Sequence, residues 1–180
     1  MILLIDGFNL IYKFPDLEEK MLRGFLDEAR SGLLERLKEF QKIKKSQIRI
    51  VFDGKKNPSR NVRSEKIGTI DVYYSLDYSA DYLIKEFIKK DPNPKMSTVI
   101  TSDKDILFYV NRFSARTMTS EKFADFVTKT IEEHHEESAP EKENDPVVTQ
   151  EEVSFWERIF SRKGKKQQQP ATSRASGRKI

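Results

Sequence analysis

Aspartates that follow short apolar runs are the residues of this chain best placed to do chemistry. The run 1–5 ends in Asp6 and Gly7, and the run 48–52 ends in Asp53 and Gly54. Short apolar runs bounded by a turn signal indicate strands buried on both faces of a parallel sheet. Ligands bind outside the carboxyl ends of such strands. The acids predicted at that edge are Asp6, Asp53, Asp81, Asp103 and Asp105.

Carboxylates gathered at one edge of a sheet would need a cation. Two like charges about 4 Å apart repel by roughly 4 kcal/mol at an effective dielectric of 20, so the acids would either stay partly protonated or bind a positive ion. An all-carboxylate set without Cys or His suits Mg²⁺ or Mn²⁺. Such metals activate a water and stabilise the leaving oxygen of a phosphodiester. The set therefore predicts metal-dependent phosphodiester hydrolysis.

Each acid alone also has a purely structural interpretation. An Asp-Gly pair such as Asp6-Gly7 often only forms a turn. Asp81 falls in the first turn of a predicted helix, where a negative charge is favourable, and Asp103 could serve as a helix N-cap. The functional interpretation depends on four separate places in the chain delivering acids to one sheet edge.

The elements that must position these acids alternate between strands and helices. Apolar residues recur at three- and four-residue steps over 16–45, which predicts an amphipathic helix that Gly24 and Gly32 could divide. Shorter helices are predicted after the third and fourth strands, and a last one over 120–133. Connections through helices make neighbouring strands parallel and bring their carboxyl ends together. The predicted fold is a three-layer α/β/α domain with a mostly parallel sheet of about five strands, over 1–5, 48–52, 70–74, 97–102 and 115–118.

A basic stretch and a group of tyrosines near the predicted edge could contact nucleic acid. Residues 55–69 are expected to form a loop, which could bind a phosphate backbone or simply be solvated. Its candidate RNA-binding residues are Lys55, Lys56, Arg60, Arg63 and Lys66. Four tyrosines could stack on bases or pack in the core and at its rim, namely Tyr73, Tyr74, Tyr78 and Tyr82.

Charge is unevenly distributed along the chain. Residues 1–131 carry 24 basic and 19 acidic groups, residues 132–157 carry 1 and 10, and residues 158–180 carry 8 and 0. Such segregation indicates a mildly basic domain, an acidic linker and a cationic tail. The predicted organisation is a folded domain over 1–131, an acidic linker over 132–150, a short amphipathic segment containing Trp156 over 151–162, and a basic disordered tail over 163–180.

Composition also bounds the compartment. The chain has no cysteine, so disulfides and thiolate metal sites are excluded. No apolar run reaches the length of a membrane span, and the N-terminal run lacks the basic lead-in and cleavage site of a signal peptide. A cytoplasmic protein without a membrane partner is expected. His134 and His135 lie among four glutamates and are interpreted as a fraying helix end in preference to a metal site.

Five short motifs follow one another along about residues 1–131. They are Leu-Leu-Ile-Asp-Gly-Phe-Asn-Leu-Ile, Val-Phe-Asp-Gly, Ser-Ala-Asp-Tyr-Leu-Ile, Val-Ile-Thr-Ser-Asp-Lys-Asp and Ser-Ala-Arg-Thr-Met-Thr-Ser-Glu-Lys-Phe. In this order they resemble the NYN domain, specifically its YacP-like bacterial branch. That branch looks like the PIN and FEN nuclease folds and includes a ribosome-associated endoribonuclease of mRNA decay.

The resemblance implies roles for individual residues. Asp6, Asp81 and Asp103 would be the catalytic, metal-binding acids, Asp53 and Asp105 would support them at the metal, and Asn9 would orient Asp6. The implied cofactor is Mg²⁺ or Mn²⁺, and the implied partners are RNA, mRNA in particular, and the ribosome. The chain departs from the pattern at Phe8, where Tyr is usual, at Gly54, where Ala is common, and where acids are expected, at Tyr82 and Lys85.

These observations predict a metal-dependent endoribonuclease with a PIN-like nuclease domain over 1–131. The alternative is a non-catalytic adaptor that binds RNA or the ribosome through a nuclease-like fold. Phosphotransfer domains also gather acids at strand ends, but they need a well-placed lysine, and Lys104 is poorly positioned for that role. A nucleotide-binding oxidoreductase is disfavoured because no Gly-x-Gly-x-x-Gly follows the first strand.

Overall fold

One sheet covered by helices on both faces forms the part of the chain that the computed structural model describes, residues 1–54, 63–76 and 78–138. Its strands are β1 (Ile2–Asp6), β2 (Gln47–Phe52), β3 (Ser64–Ile67), β4 (Ile70–Tyr74), β5 (Ser97–Ile100) and β6 (Arg116–Met118). Its helices are α1 (Gly7–Ile11), α2 (Pro15–Leu22), α3 (Leu26–Ile43), α4 (Ala80–Lys90), α5 (Lys104–Asn111) and α6 (Ser120–Ser138). The predicted α/β fold is therefore confirmed.

The sheet order is β3-β4-β2-β1-β5-β6, and every neighbouring pair is parallel except β3 with β4. The first strand, β1, lies centrally between β2 and β5. From β1 the sheet extends on one side through β2 and β4 to β3, and on the other side through β5 to β6. Because the parallel strands share one direction, their carboxyl ends lie along one edge, as the sequence predicted.

Alternate residues of each strand explain the three layers. Leu3 and Ile5 pack in a core with α1, α2, α3 and α6, whereas Leu4 packs on the opposite face with α4 and α5. On β2, Ile50 and Val51 divide between the same two cores. A strand buried on both faces has no polar side to expose, which explains the uninterrupted apolar runs.

The predicted helix over 16–45 is two helices. It breaks at Gly24, whose φ of +82° lies in the left-handed region that glycine adopts without strain. Gly32 does not break it and lies within α3, where a Cβ atom would come within 2.6 Å of a Leu17 methyl carbon. Gly32 therefore allows α2 and α3 to pack closely.

The sheet contains a strand that the sequence analysis assigned to a loop. β3 pairs with β4 in an antiparallel hairpin that turns through Gly68 and Thr69, and Gly68 has a φ of +63°. Residues 64–67 are therefore strand, and the sheet has six strands in place of about five. The pattern was missed because β3 is a short polar edge strand, of which only Glu65 and Ile67 are partly buried.

The last helix continues further than predicted. α6 ends at Ser138, so residues 132–138, which the sequence analysis placed in the acidic linker, are helical. The rest of the linker, the segment around Trp156 and the basic tail lie outside the described residues, as do residues 55–62. Within the described ranges, no helix combines the length and apolar character needed to cross a membrane.

Candidate functional site

The carboxyl edge of the sheet has a crevice between β1 and β5. The helix that follows β1, α1, lies on one face of the sheet, and the helix that follows β5, α5, lies on the other. Helices that diverge from adjacent parallel strands open a crevice, and ligands of open α/β sheets bind there. Asp6 stands at one side of this crevice and Asp103 at the other.

Asp6 is partly buried and held through both carboxylate oxygens. The Asn9 backbone N–H donates to Oδ1 at 3.2 Å, and the Thr101 hydroxyl donates to Oδ2 at 3.1 Å. Burial raises the pKa of Asp6, and the nearby charges of Asp103 and Asp53 raise it further, against the lowering effect of the two hydrogen bonds. The charged form of Asp6 is therefore less favourable than that of a solvated carboxylate, and a bound cation would favour it.

Asp103 caps α5, as its structural interpretation predicted. Its Oδ1 accepts hydrogen bonds from the backbone N–H groups of Asp105, at 2.8 Å, and Ile106, at 3.2 Å. Its own N–H donates to the Thr101 hydroxyl oxygen at 3.1 Å. Asp103 can cap α5 and also lie beside Asp6, because the cap uses only one of its two carboxylate oxygens. Asp105 lies exposed in the first turn of the same helix.

A hydrogen-bond network ties the two sides of the crevice together. The Asn9 side-chain oxygen accepts from the Ser102 N–H at 3.0 Å, so Asn9 reaches across to the β5–α5 loop. The Ser102 hydroxyl donates to Glu121 and accepts from the Ser120 N–H. Lys13 lies 2.8 Å from Glu121, and Lys13 and Ser102 together lower the pKa of that carboxyl to about 2. Asn9 thus contacts Asp6 through its backbone N–H and the β5–α5 loop through its side chain.

Asp53 is held in the turn that follows β2. The Ser75 hydroxyl donates to Asp53 Oδ1 at 2.6 Å and accepts from the Gly54 N–H at 2.9 Å. Gly54 has a φ of +75°, which favours glycine over the alanine common in the family pattern. Ser75 follows β4, so the ends of β2 and β4 are locked to each other.

A buried arginine supports the same turn. The Arg30 side chain is 6% exposed and donates to the Asp53 carbonyl oxygen at 3.3 Å. Its guanidinium lies over three aromatic rings, 5.2 Å from Phe8, 5.5 Å from Phe52 and 5.7 Å from Tyr74. An Arg enclosed by ring faces gains cation–π attraction that a solvated one does not.

Asp81 is paired with a lysine. The Lys85 ammonium lies 2.9 and 3.0 Å from its two carboxylate oxygens, one turn along α4. Lys85 also lies 5.5 Å from the Tyr109 ring centroid. An i,i+4 acid–base pair of this kind is expected on a helix. The residue that departs from the family pattern thus neutralises one of the predicted catalytic acids.

The donor set suits a hard divalent cation in its chemistry. Asp6, Asp53 and Asp103 offer only oxygen ligands, and the charges of Asp103 and Asp53 add to burial in raising the pKa of Asp6. Across 1–54, 63–76 and 78–138, however, no three Asp, Glu or His side chains are close enough together to hold one ion. The residues therefore fit Mg²⁺ or Mn²⁺ in charge and ligand type, while Asp81 stands apart with its own counter-ion.

Of the predicted RNA-binding residues, two lie in the described part of the chain. Arg63 is exposed beside the end of β4, and its carbonyl oxygen accepts from the Tyr74 N–H at 2.9 Å. Lys66 is exposed on β3, with Nζ 3.5 Å from an Asp71 carboxylate oxygen. Lys55, Lys56 and Arg60 lie outside the described residues.

Several residues of the edge were not singled out from the sequence. Thr101 and Ser102 stand directly before Asp103, and this position beside a strand-end acid is the sequence signal for their role. Glu121 lies inside the last of the five motifs without having been assigned a role. Lys13 and Arg30 gave no signal, because their partners are distant in the chain.

Known proteins share this fold. A family model described as the YacP-like NYN domain matches residues 3–161. A crystal structure of a mutant of Rae1 (YacP) from Bacillus subtilis is similar, with a TM-score of 0.60 and 25% identity, covering 76% of this chain and 79% of that one. Another Rae1 (YacP) crystal structure from Bacillus subtilis has a TM-score of 0.59 and 19% identity, covering 92% and 93%. No curated protein matches significantly. Since the family model spans well over half of its length, the chain belongs to the YacP-like NYN domain family.

Proposed function

We propose that this protein is a metal-dependent endoribonuclease that hydrolyses RNA phosphodiester bonds. The observation that carries the proposal is the position of Asp6, partly buried at the crevice with Asp103 and Asp53 nearby. Asp6 caps α1 through the Asn9 N–H, but a cap does not require a charge, since Asn and Ser serve as well. Burial and the charges of Asp103 and Asp53 oppose the ionisation of Asp6, so the capping role alone does not explain an acid at this position. A divalent cation would relieve that repulsion. The nuclease-like fold of the family supports the same chemistry.

The proposal assigns metal binding, positioning of the acids and RNA binding to different residues. Asp6 and Asp103, on the two sides of the crevice, would hold Mg²⁺ or Mn²⁺ together with water, with Asp53, Asp81 and Asp105 at the margin of the site. The chemistry supplied when the metal is bound is Lewis acidity toward the phosphodiester and a lowered pKa of the attacking water. Thr101 and Asn9 keep Asp6 in place, and Ser75 and Arg30 keep Asp53 in place. Basic residues between 55 and 66 would bind the phosphate backbone.

A second function, an RNA- or ribosome-binding adaptor with little turnover, is favoured by a specific observation. Lys85 already neutralises Asp81, and in the described ranges no three acids converge on one point. An adaptor would bind RNA without requiring the acids. The two functions therefore predict different outcomes when a carboxylate of the crevice is neutralised.

The deciding experiment is cleavage of end-labelled mRNA with Mg²⁺ or Mn²⁺, with and without translating ribosomes, by wild type, Asp103→Asn and Asp125→Asn. Asn is as good an N-cap as Asp, so Asp103→Asn removes the charge and keeps the cap. Asp125 is an exposed acid on α6 and serves as the matched control. The nuclease proposal expects Asp103→Asn to lower the cleavage rate at least ~100-fold, the usual loss for an electrostatic catalytic group, with Asp125→Asn unchanged. RNA or ribosome binding without Asp103-dependent cuts would favour the adaptor.

Lys85 offers a test that does not depend on cleavage. Replacing Lys85 with Gln removes a positive charge beside Asp81 and frees its carboxylate, so we expect Mn²⁺ to bind several-fold more tightly, in line with about 1 kcal/mol for a partly exposed charge pair. Lys89→Gln, which loses a pair with Glu86 on the same helix, is the control. Free Mn²⁺ measured by electron paramagnetic resonance reports the affinity. Equal affinities in wild type and Lys85→Gln would show that Asp81 lies outside the metal site.

A further inference from the structure

The four tyrosines near the carboxyl edge divide into two pairs with different surroundings. Tyr74 is buried and stacks on Phe52, and Tyr73 packs against Phe87 with ring centroids 4.7 Å apart. These two rings belong to the cores. Tyr78 and Tyr82 are 56% and 46% exposed, yet they stack on each other with centroids 4.8 Å apart and ring planes inclined by 21°. The second pair contributes little to either core.

Hydrogen bonds from the main-chain N–H groups of Tyr78 and Tyr82 fix the main chain from which both rings project. The Tyr78 N–H donates to the Ser75 carbonyl oxygen at 2.8 Å, directly after β4. The Tyr82 N–H donates to the hydroxyl oxygen of Ser79, the N-cap of α4, at 3.1 Å. The stack is therefore fixed at the carboxyl end of β4, on the edge that carries the acids, and Tyr82 is the immediate neighbour of Asp81.

The surface beside the stack combines flat apolar walls with a cation. Tyr78, Leu76, Leu83 and Phe87 line a hollow of about 140 Å³, and Arg63 lies at the same hollow. A nucleobase is planar and apolar on its faces and is attached to a phosphate, so it needs both kinds of contact. Aromatic rings that offer a face to bases beside a basic residue are the usual means of binding single-stranded nucleic acid.

We propose that Tyr78 and Tyr82, which we call the tyrosine stack, bind an unpaired nucleobase of the RNA substrate. The inference rests on the proposed function, since it takes RNA as the ligand, and it adds that the substrate is single-stranded where it meets the protein. Bases within a duplex are stacked on each other and present no free face. A stacked face accepts every base, so the site selects for strandedness and tolerates any sequence.

The test is equilibrium binding of a fluorescein-labelled, mixed-sequence 12-nucleotide RNA in EDTA, where no metal-dependent cleavage occurs. The full-length proteins compared are wild type, Tyr78→Ala, Tyr82→Ala, Tyr82→Phe and Phe108→Ala. Phe108 is a 74% exposed ring on α5 and controls for loss of an exposed aromatic. Each Tyr→Ala variant is expected to bind about 5- to 150-fold more weakly, the range for base–aromatic stacks. Tyr82→Phe and Phe108→Ala should stay within about twofold.

A second readout separates stacking from other contacts. 2-Aminopurine placed in turn at each position of the RNA should lose fluorescence on binding at every position that a sequence-tolerant site can reach, and Tyr82→Ala should restore it. Equal RNA affinity of the Tyr→Ala variants and wild type, equal weakening for a duplex of the same sequence, or no RNA binding by wild type would each overturn the tyrosine stack. If a variant lacking both tyrosines cleaves RNA and binds it with unchanged affinity, only the tyrosine stack is overturned. If RNA binding depends on the stack but no cleavage occurs, only the nuclease proposal is overturned.

Discussion

Ionisation of Asp6 is opposed by its surroundings in the folded protein. Its pKa is raised by burial first and by Asp103 and Asp53 second. A carboxyl whose pKa is higher in the folded than in the unfolded state favours folding while it is protonated. That contribution is lost as the pH rises above the unfolded value of 3.8 and through the raised folded value.

Replacing Asp6 with Asn should therefore stabilise the protein. The amide keeps an acceptor for the Asn9 N–H, presents Thr101 with a donor where Asp6 presents an acceptor, and cannot ionise. We expect Tm at pH 7 to rise, by a few degrees for each ~1 kcal/mol that the amide avoids in a domain of this size. The gain over wild type should be small near pH 3.5 and should grow as the pH rises, because only wild type loses its proton.

Thermal unfolding of wild type, Asp6→Asn and Asp125→Asn between pH 3.5 and 8 measures this. Asp125→Asn, which removes an exposed acid, controls for the change in net charge. Saturating Mg²⁺ should narrow the gap by stabilising wild type alone, since a ligand that binds only the folded state raises its stability. A lower Tm for Asp6→Asn at pH 7 would mean that the hydrogen bonds of the carboxylate outweigh its burial.

At the residue scale, the sequence predicted where the acids lie better than it predicted which side chains contact them. Asp6 and Asp53 were located because a strand end is visible as the end of an apolar run. The Lys85–Asp81 pair follows a spacing that a helix makes predictable. The bond from Thr101 to Asp6 and the pair between Lys13 and Glu121 join residues far apart in the chain, and no local pattern indicates which distant side chains will meet.

At the scale of elements, buried strands and long helices were predictable and short polar elements were not. β1 and β2 are apolar on both faces, so their composition alone identifies them. β3 alternates between exposed and partly buried positions over four residues, and it exists because β4 supplies its hydrogen bonds. The sequence offers Gly24 and Gly32 as two possible helix breaks. Only the packing of α2 on α3 shows that Gly32 serves a close contact within α3 and does not break the helix.

Two glycines allow a test of which close contact matters. A Cβ at Gly7 would lie 2.4 Å from ring carbons of Phe52 and 2.9 Å from the Val51 carbonyl oxygen, whereas one at Gly32 would meet a Leu17 methyl carbon. Backbone and a buried ring cannot move aside, but a leucine methyl can. Gly7→Ala should therefore lower the free energy of unfolding by about 1–3 kcal/mol or more. Gly32→Ala should change it by less than about 1 kcal/mol, since alanine also gains helix propensity.

Urea unfolding at fixed pH gives both free energies, and equal slopes would show that the unfolded states are comparable. Gly7 directly follows Asp6, so Gly7→Ala should also weaken Mn²⁺ binding, while Gly32→Ala should leave it unchanged. A larger loss of stability in Gly32→Ala than in Gly7→Ala would contradict this order and would identify the α2–α3 contact as the more demanding one.

At the scale of the whole molecule, charge is distributed very unevenly along the chain. Residues 158–180 carry 8 basic and no acidic groups, and they follow a stretch rich in glutamate. Fold prediction could not extend to this part, because a composition this polar carries no periodic pattern to read. Its composition still supports a prediction, because the salt dependence of RNA binding counts the phosphates that a protein neutralises.

If the basic tail binds RNA, replacing Lys163, Lys165 and Lys166 with Gln should weaken binding and flatten its salt dependence. Each lost phosphate contact on a single strand lowers the slope of log affinity against log salt concentration by about 0.7, so three contacts should lower it by about 2. The matched control replaces Lys42, Lys44 and Lys45, which precede β2 and so lie at the amino edge of the sheet, opposite the acids. Anisotropy titrations in EDTA from 50 to 300 mM salt give both slopes. Slopes flattened equally in the two triple variants would mean that the tail contributes only general positive charge, and slopes equal to that of wild type in both would mean that neither group of lysines contacts phosphates.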